Sequence, residues 1–532
     1  MLTAIFIFVA FLAILNTAAE FARDLMMFQQ NSYRADRYGR WLSESGDTTS
    51  MARLCGIFVF LLALAGFSFR LPAAVIVGIF CAWNCFTLGH RKYKKPLVWT
   101  MRARRIIAVM WALTVIVAAA GVLLFGGGNL ELDLFVVAEC MLLCYCASHI
   151  IVMLANAILT PVEKSINRKY YREAEDALRS MPALKIIGVT GSYGKTSTKH
   201  YLYRILSEQY QTLMTPGNFN TTLGVIRTVR EHLKPYHEVF IVEMGAKQIG
   251  DIKEICDLVH PTVGIVTAVG PQHLESFKSI ANVQSTKFEL VDSLPSDGLA
   301  VVNNDFEKIA DRTVTNVPCE RYAVAHVTDE VDYYAEDIRY SAAGTTFTAV
   351  CRHDGHRLEL TTRLVGECNI SNLLAAVAVA RYMGVTDDRI RYAVEKIEQV
   401  EHRLSIKKIP GGYTIIDDAY NSNPVGSAMA LDVLAAMPGK RILLTPGMVE
   451  LGTEQFDRNR DFGQKAATCC DIAIVVGHYN RDAILEGLKA GGMPETAIRR
   501  VDTFAEAQAL LGSLAGNGDT VLYENDLPDT FK

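Results

Sequence analysis

Apolar positions fall into two regimes along this chain. Over residues 1–160 they form long stretches, at about 2–19, 54–70, 72–89, 106–126 and 134–159. Each has roughly the 17 or more residues that a helix needs to cross a bilayer. Beyond residue 183 the apolar runs shorten and alternate with helical periodicity. Strands are expected at Leu184–Val189, Val239–Met244, Val263–Val269 and Leu299–Asn303. Such alternation predicts a parallel sheet with helices on both faces. Residues 320–365 change character: Tyr333–Tyr340, Thr345–Arg352 and Arg357–Arg363 read as a β-meander, turning at Ala343-Gly344 and Asp354-Gly355. A helix over Asn369–Met383 closes this region. A second αβ series follows, with strands near Tyr413–Asp417, Arg441–Thr445, Ile472–Val476 and Thr520–Tyr523.

The pattern divides the chain into four parts: a multi-pass α-helical membrane region (1–160), a charged helical stalk (161–182), a central α/β domain (183–401) and a smaller Rossmann-like α/β domain (402–532). Basic residues orient the spans. Arg91, Lys92, Lys94, Lys95, Arg102, Arg104 and Arg105 crowd one loop, whereas the Gly126–Asp133 connection has no basic residue. Arg23, Arg34, Arg37, Arg40 and Arg53 place the first loop on the same side as the basic loop, and Lys164, Arg168, Lys169 and Arg172 follow the last span. The expected topology is five spans, with the N-terminus outside and the α/β domains in the cytoplasm. No Lys or Arg precedes the first stretch, which argues against a cleaved leader. Glu139 and His149, inside the fifth stretch, are read as helix-packing partners, with a polar pathway as the alternative.

Charge and cysteine content narrow the function classes. A net charge of −4 gives no electrostatic case for nucleic acid. The twelve cysteines lack zinc-site flanks and fit a reducing compartment.

Candidate chemistry begins where the first short strand ends. Thr190, Gly191, Ser192, Tyr193, Gly194, Lys195 and Thr196, followed by Ser197, lie between that strand and an amphipathic helix pattern. Glycines let backbone N–H groups curl around a phosphate, and the helix N-terminus adds positive potential. Lys195 is placed to reach terminal phosphates and the Thr196 hydroxyl to take a position on Mg²⁺. A strict Walker loop needs glycine at position 189, where Val189 stands. Glu243 ends another strand and is suited to the same Mg²⁺, although a strand-end carboxylate also caps helices. His273, in Gly270-Pro271-Gln272-His273-Leu274-Glu275, follows a third strand, and Lys287 comes fourteen residues later.

From about residue 184 onward the chain resembles the Mur ligases, the ATP-dependent amide-forming enzymes of peptidoglycan synthesis. Thr-Gly-x-x-Gly-Lys-Thr is that family's form of the phosphate loop. Gly217-Asn218-Phe219-Asn220, Glu243-Met244-Gly245-Ala246 and the His273 segment resemble its central motifs. Asn369–Ala376 and Asp417-Asp418-Ala419-Tyr420-Asn421-Ser422-Asn423-Pro424 resemble its later ones. The resemblance implies a P-loop central domain, ATP, two Mg²⁺ ions, and a carbamylated lysine at Lys287 that supports the second metal with His273. It implies that Asn369 and Asn372 lie on the adenine side, that Arg403 reaches the γ-phosphate, and that Asp418 and Asn423 contact nucleotide. The implied reaction makes an acyl phosphate from a substrate carboxylate, which an amine then attacks, with Lys195, Lys287, His273 and Arg403 as catalytic positions.

The departures gather on the substrate side. Membrane stretches stand where the family has a UDP-binding domain. Cys368 occupies a frequent histidine position, Gly447 replaces an aspartate, and Leu522-Tyr523-Glu524-Asn525-Asp526 lacks the family's Lys-Gly-Ser-Arg run. Three readings follow: a membrane-anchored ligase joining D-Ala-D-Ala to a UDP-muramyl tripeptide, the same chemistry on a lipid-linked precursor or other polymer carboxylate, and a non-catalytic nucleotide-binding scaffold. Expected partners are a peptidoglycan precursor, an amino acid or dipeptide, and other cell-wall enzymes. The expected location is the bacterial cell membrane, multi-pass, with the catalytic domains cytoplasmic.

Overall fold

The computed structural model describes residues 1–526 apart from 92, 94, 273, 342, 343, 401, 410, 411, 420 and 421. The chain forms two compact units, Met1–Arg168 and a second that begins at Lys169.

The first unit is helical: α1 (Leu2–Gln30), α2 (Ala35–Glu44), α3 (Met51–Ala65), α4 (Arg70–His90), α5 (Met101–Phe125), α6 (Leu130–Cys146) and the start of α7 (Ser148–Arg179). Four helices, α1, α4, α5 and α7, are long and apolar enough to cross a membrane. Large apolar side chains stand exposed along the helices, among them Phe8, Phe58, Ile79, Phe86, Leu123 and Leu124. Two expected stretches differ from the reading of the sequence. The second is the 15-residue α3. The fifth is divided at Ala147, whose φ of −96° and ψ of 10° end α6 before α7 begins. The expected stalk is the continuation of α7.

Arg23 and Arg53 are expected in the first loop, and the structure corrects this: both lie in helices, Arg53 buried and Arg23 half-buried. Arg53 Nη2 lies 2.9 Å from Glu20 Oε1, 3.0 Å from Asp24 Oδ1 and 3.3 Å from Asp47 Oδ2. Arg23 pairs with Asp47 and, at 2.8 Å, with Glu20. Ser148, the first residue of α7, donates to Asp24 Oδ2 at 2.5 Å. Because apolar burial alone does not choose a register between helices, this network fixes how α1, α3 and α7 meet. His149 joins it, its Nδ1 lying 3.3 Å from Arg53 Nη1, as a packing partner does. Glu139 is buried with no hydrogen-bond partner on either oxygen among the described residues.

The second unit holds two sheets. The first contains β1 (Lys185–Thr190), β2 (Thr212–Met214), β3 (Val239–Glu243), β4 (Val263–Val266), β5 (Leu299–Asn303), β6 (Cys319–Ala323), β7 (Tyr333–Ser341), β8 (Gly344–Cys351) and β9 (His356–Thr362). Its order is β2-β3-β1-β4-β5-β6-β7-β8-β9. Strands β1 to β7 pair in parallel, and β7, β8 and β9 continue antiparallel. The meander is therefore an extension of the same sheet; its expected turn residue Ala343 lies outside the described residues. Successive β1 residues feed opposite cores. Ile187 and Val189 pack with Tyr201, Leu202 and Leu374 on one face, while Ile186 packs with Phe240, Val242 and Ile255 on the other. Helices cover both faces, as parallel strands require.

The second sheet has β10 (Ser405–Lys408), β11 (Thr414–Asp418), β12 (Arg441–Thr445), β13 (Ile472–Val476), β14 (Ile498–Val501) and β15 (Thr520–Glu524), in the order β10-β11-β15-β12-β13-β14. All pairs are parallel except β10 with β11.

The buried network of the first unit yields a test. Arg53→Met leaves three acidic side chains short of a cation and should destabilise the unit by ~3–5 kcal/mol. Denaturant unfolding of the full chain in detergent measures this; a loss under ~1 kcal/mol would show that the network carries little of the packing.

Candidate active site

Parallel pairing brings the carboxyl ends of β1, β3 and β4 to one edge, where open α/β sheets gather ligands. At that edge β1 gives way to the loop Gly191–Gly194 and then to α8 (Lys195–Leu206). Gly191 has φ +149° and Gly194 φ +78°. A Cβ at 191 would stand 2.1 Å from Thr267 Oγ1, and one at 194 would stand 2.5 Å from Asn372 Oδ1. Both positions need glycine for backbone and space together. Val189, where a Walker loop has glycine, is a fully buried strand residue, so the curl starts later in this chain. Lys195 lies across the loop, its Nζ donating to Gly191 O at 2.7 Å and Ser192 O at 3.2 Å. The first-turn N–H groups of α8 lack intrahelical acceptors and favour an anion there.

Glu243 closes the floor of this loop. Thr196 Oγ1 donates to its Oε1 at 3.2 Å, and Asn220 Nδ2 donates to the same oxygen at 3.1 Å. Its Oε2 pairs with Lys199 Nζ at 2.9 Å, with both side chains almost fully buried. Lys199 also donates to Thr215 O at 2.9 Å and Gly217 O at 2.7 Å. Burial pushes the Glu243 carboxyl upward, but Lys199, Lys195 and the hydrogen bonds from Lys199 and Asn220 outweigh it and hold the group below the ordinary range. An anionic carboxylate beside a threonine hydroxyl is a hard-oxygen pair that suits Mg²⁺. Among the described residues no cluster of three or more His, Cys, Asp or Glu side chains forms a metal cage by itself. A Mg²⁺ held by this pair would take the rest of its shell from phosphates and water, as is usual for this ion.

Lys287 is 2% exposed on the helix Ile280–Asp292. Burial, with Lys195 adding repulsion, pulls its amine well below the ordinary lysine range, against weaker opposition from Asp251 and Glu289. It has no hydrogen bond or ion pair among the described residues. A lysine ammonium is no metal ligand; the neutral amine that this site favours can be converted to one. His273 lies outside the described residues.

A cavity of about 410 Å³ gathers most of the remaining candidates. Ser192, Tyr193, Gly194, Lys195, Thr196 and Ser197 line it from the loop, Asn369 and Asn372 from the helix Glu367–Tyr382, and Arg403, Asp418 and Asn423 from the second sheet's region. Lys195 is pushed down to about 8 by burial, with Arg403 adding to the shift and Glu243 opposing it. Thr190 and Gly191 lie behind the lining; the Thr190 hydroxyl is spent on Met244 O at 2.9 Å. Asn369 accepts from Tyr201 at 2.7 Å and donates to Val365 O at 2.8 Å, so it shapes the wall. Asn423 caps the helix Pro424–Ala435 through Gly426 N at 2.8 Å. Cys368 also lines the cavity, its thiol pushed up to about 12 by burial, and so is unreactive. At Gly447, with φ +78°, a Cβ would stand 2.5 Å from Asn459 Oδ1, which leaves no room for an aspartate.

Lys199 and Asn220 were not assigned site roles from the sequence. The available signal for Lys199 was its spacing four residues beyond Lys195, on the same helix face. Asn220 stood inside a recognised motif but without a partner that the sequence could reveal.

Comparison with known proteins now bears on this geometry. Residues 189–380 match the family described as Mur ligase middle domain, and residues 402–523 match Mur ligase, glutamate ligase domain. The chain is 31% identical over 301 residues to the UDP-N-acetylmuramoyl-tripeptide--D-alanyl-D-alanine ligase of Escherichia coli, covering 56% of this chain and 66% of that protein. It is 30% identical over 365 residues to the protein of that name from Mycobacterium bovis, covering 64% and 70%. The crystal structure of MurF from Acinetobacter baumannii superposes with a TM-score of 0.61 at 26% identity, covering 68% of this chain and 77% of that one. The chain thus spans about two thirds of these curated relatives' length, and its residues 1–188 lie outside both family matches.

The position of Lys195 gives a signed expectation. Near pH 9 its amine is largely neutral, and a bound polyphosphate raises its affinity for a proton, so nucleotide binding takes up protons. Calorimetry of ATP binding in two buffers of different ionisation enthalpy should show uptake approaching one proton, most of it lost in Lys195→Met. Equal uptake in both proteins would assign the proton elsewhere.

Proposed function

This chain belongs to the Mur ligase family, and on that footing we propose that it is a membrane-anchored, ATP-dependent, ADP-forming ligase that makes an amide bond in peptidoglycan precursor synthesis. One observation carries the reading: the phosphate loop, the anionic Glu243 and the neutral, buried Lys287 are kept together, and Arg403 and Asp418 complete the cavity beside them. A structural loop would need none of the last four.

Lys195 and the first turn of α8 bind the β- and γ-phosphates, while Asn369 and Asn372 flank the base. Thr196 and Glu243 are the residues that would hold Mg²⁺, which supplies neutralisation of phosphate charge. The neutral amine of Lys287 adds CO₂ to form a carbamate, releasing a proton, and that oxygen donor with His273 would hold a second Mg²⁺. The acceptor carboxylate attacks the γ-phosphorus to give an acyl phosphate and ADP, with Arg403 and Lys195 stabilising the transferred charge. An amine then attacks the acyl carbon and inorganic phosphate leaves. The protein needs no covalent intermediate of its own.

The names of the relatives support a UDP-muramyl tripeptide acceptor and D-Ala-D-Ala as the amine. A second reading, with a lipid-linked acceptor, is favoured by the exposed apolar girdle of the helical unit, which stands where no family match extends. In either case the helical unit anchors the enzyme in the membrane with its α/β domains on the cytoplasmic side, where other cell-wall enzymes are its expected partners.

Purified protein given ATP, D-Ala-D-Ala and either form of muramyl tripeptide should release phosphate and yield a product heavier by one dipeptide residue. Faster turnover of the lipid-linked form would select the second reading. Phosphate release from neither, with Lys195→Ala indistinguishable from wild type, would leave only the scaffold reading. Carbamylation predicts a ¹³C resonance after incubation with ¹³C-bicarbonate that Lys287→Ala abolishes; an unchanged spectrum would remove the carbamate from the account.

A further inference from the structure

Glu524 ends β15 directly beside Asp418, its in-register partner on β11. It is 1% exposed and does not line the cavity, whereas Asp418 does. Ser422 Oγ lies 2.5 Å and Ser427 Oγ 2.6 Å from Glu524 Oε1, and the two hydroxyls lie 2.6 Å from each other. Both hydroxyls are placed to donate to Oε1, which leaves the contact between them without a proton of its own. The carboxyl's own proton completes the ring. The other oxygen, Oε2, has no hydrogen-bond donor among the described residues. A buried anionic oxygen in that position would be costly, whereas the carbonyl of a neutral acid is much less so.

We propose that Glu524 is held as a neutral carboxylic acid and acts as a positioning residue through Asp418, so that the nucleotide cavity presents one negative charge at this end rather than two. This rests on the nucleotide-binding reading above. The groups around the pair support it. On β11, Asp418 is its neighbour, and Asp417 is already engaged by His402 Nδ1 at 2.8 Å and Lys407 Nζ at 3.2 Å. The start of the helix Pro424–Ala435 contributes only the Ser427 hydroxyl, and on β12 the last register partner, opposite Tyr523, is Leu444, which does not titrate. Arg403 acts on Asp418, and the Cys368 thiol beside it stays protonated. Burial, with Asp418 adding to it, pushes the Glu524 carboxyl up to about 8 against the two serines. Burial also raises Asp418, but Arg403 opposes that rise, so the shared proton resides on Glu524 and the charge faces Arg403. At alkaline pH Glu524 ionises, and the second charge opposes a polyanionic nucleotide.

The test compares the full-length protein with Glu524→Gln, an isostere that stays neutral at every pH. ATP affinity of the two should be similar near about pH 6.5, and wild type should be weaker by about five-fold near about pH 9. The ratio removes any contribution that Lys195 makes in both proteins. Infrared difference spectra should show a carboxylic-acid C=O band at neutral pH that the substitution removes. A ratio constant with pH, or no such band, would overturn the proposal. Absence of ATP binding by wild type at both pH values would overturn the nucleotide reading instead, and the infrared band would still decide the protonation of Glu524.

Discussion

The buried ion pair between Lys199 and Glu243 is the contact on which the rest of the site depends. It joins the first turns of the helix after the phosphate loop to the end of the neighbouring strand, at 2.9 Å and out of contact with solvent. A buried pair of this kind is costly to break, roughly 3–5 kcal/mol, because the surviving partner keeps its charge without water. Lys199 also holds the carbonyls of Thr215 and Gly217, so the same ammonium fixes the segment that carries Asn220. Through Thr196 and Asn220 the carboxylate is held in one orientation. The anionic state of Glu243 and its fixed place beside Thr196 both follow from that one compensation.

Charge is managed differently at two other buried ionisable positions of this unit. Lys287 meets only weak opposition from Asp251 and Glu289, and burial pulls its amine well below the ordinary lysine range. Glu524 has a like-charged neighbour and keeps its proton within a ring of serine hydroxyls. Ion pairing, deprotonation and protonation are three answers to the same desolvation cost, and each leaves a different chemistry: a metal-competent anion, a nucleophilic amine and a neutral acid. In the helical unit two arginines set among Glu20, Asp24 and Asp47 give the first answer.

Much of this was legible in the sequence where local pattern and tertiary structure agree. Strands at Leu299–Asn303, Arg441–Thr445 and Ile472–Val476 have the bounds that their apolar runs suggested. Short or less apolar strands such as Thr212–Met214 and Ile498–Val501 were missed, because sheet neighbours and not their own composition make them strands. The phosphate loop was readable because its glycines and lysine must be adjacent in sequence. Lys199, Glu524 and the Arg53 network were not, since their partners lie far along the chain and only the fold reveals that they are buried. Helix length in the first unit failed for a related reason: the stretch 134–159 is continuous in hydropathy, but Ser148 is drawn to Asp24 and the helix breaks at Ala147.

The central claim is that these residues direct the ATP γ-phosphoryl group onto a carboxylate. Oxygen-18 placed in the acceptor carboxylate of a muramyl tripeptide tests it most directly. Passage through an acyl phosphate transfers one labelled oxygen to the inorganic phosphate released with each amide formed. Phosphate carrying oxygen only from ATP and water, while ATP is consumed, would contradict the account.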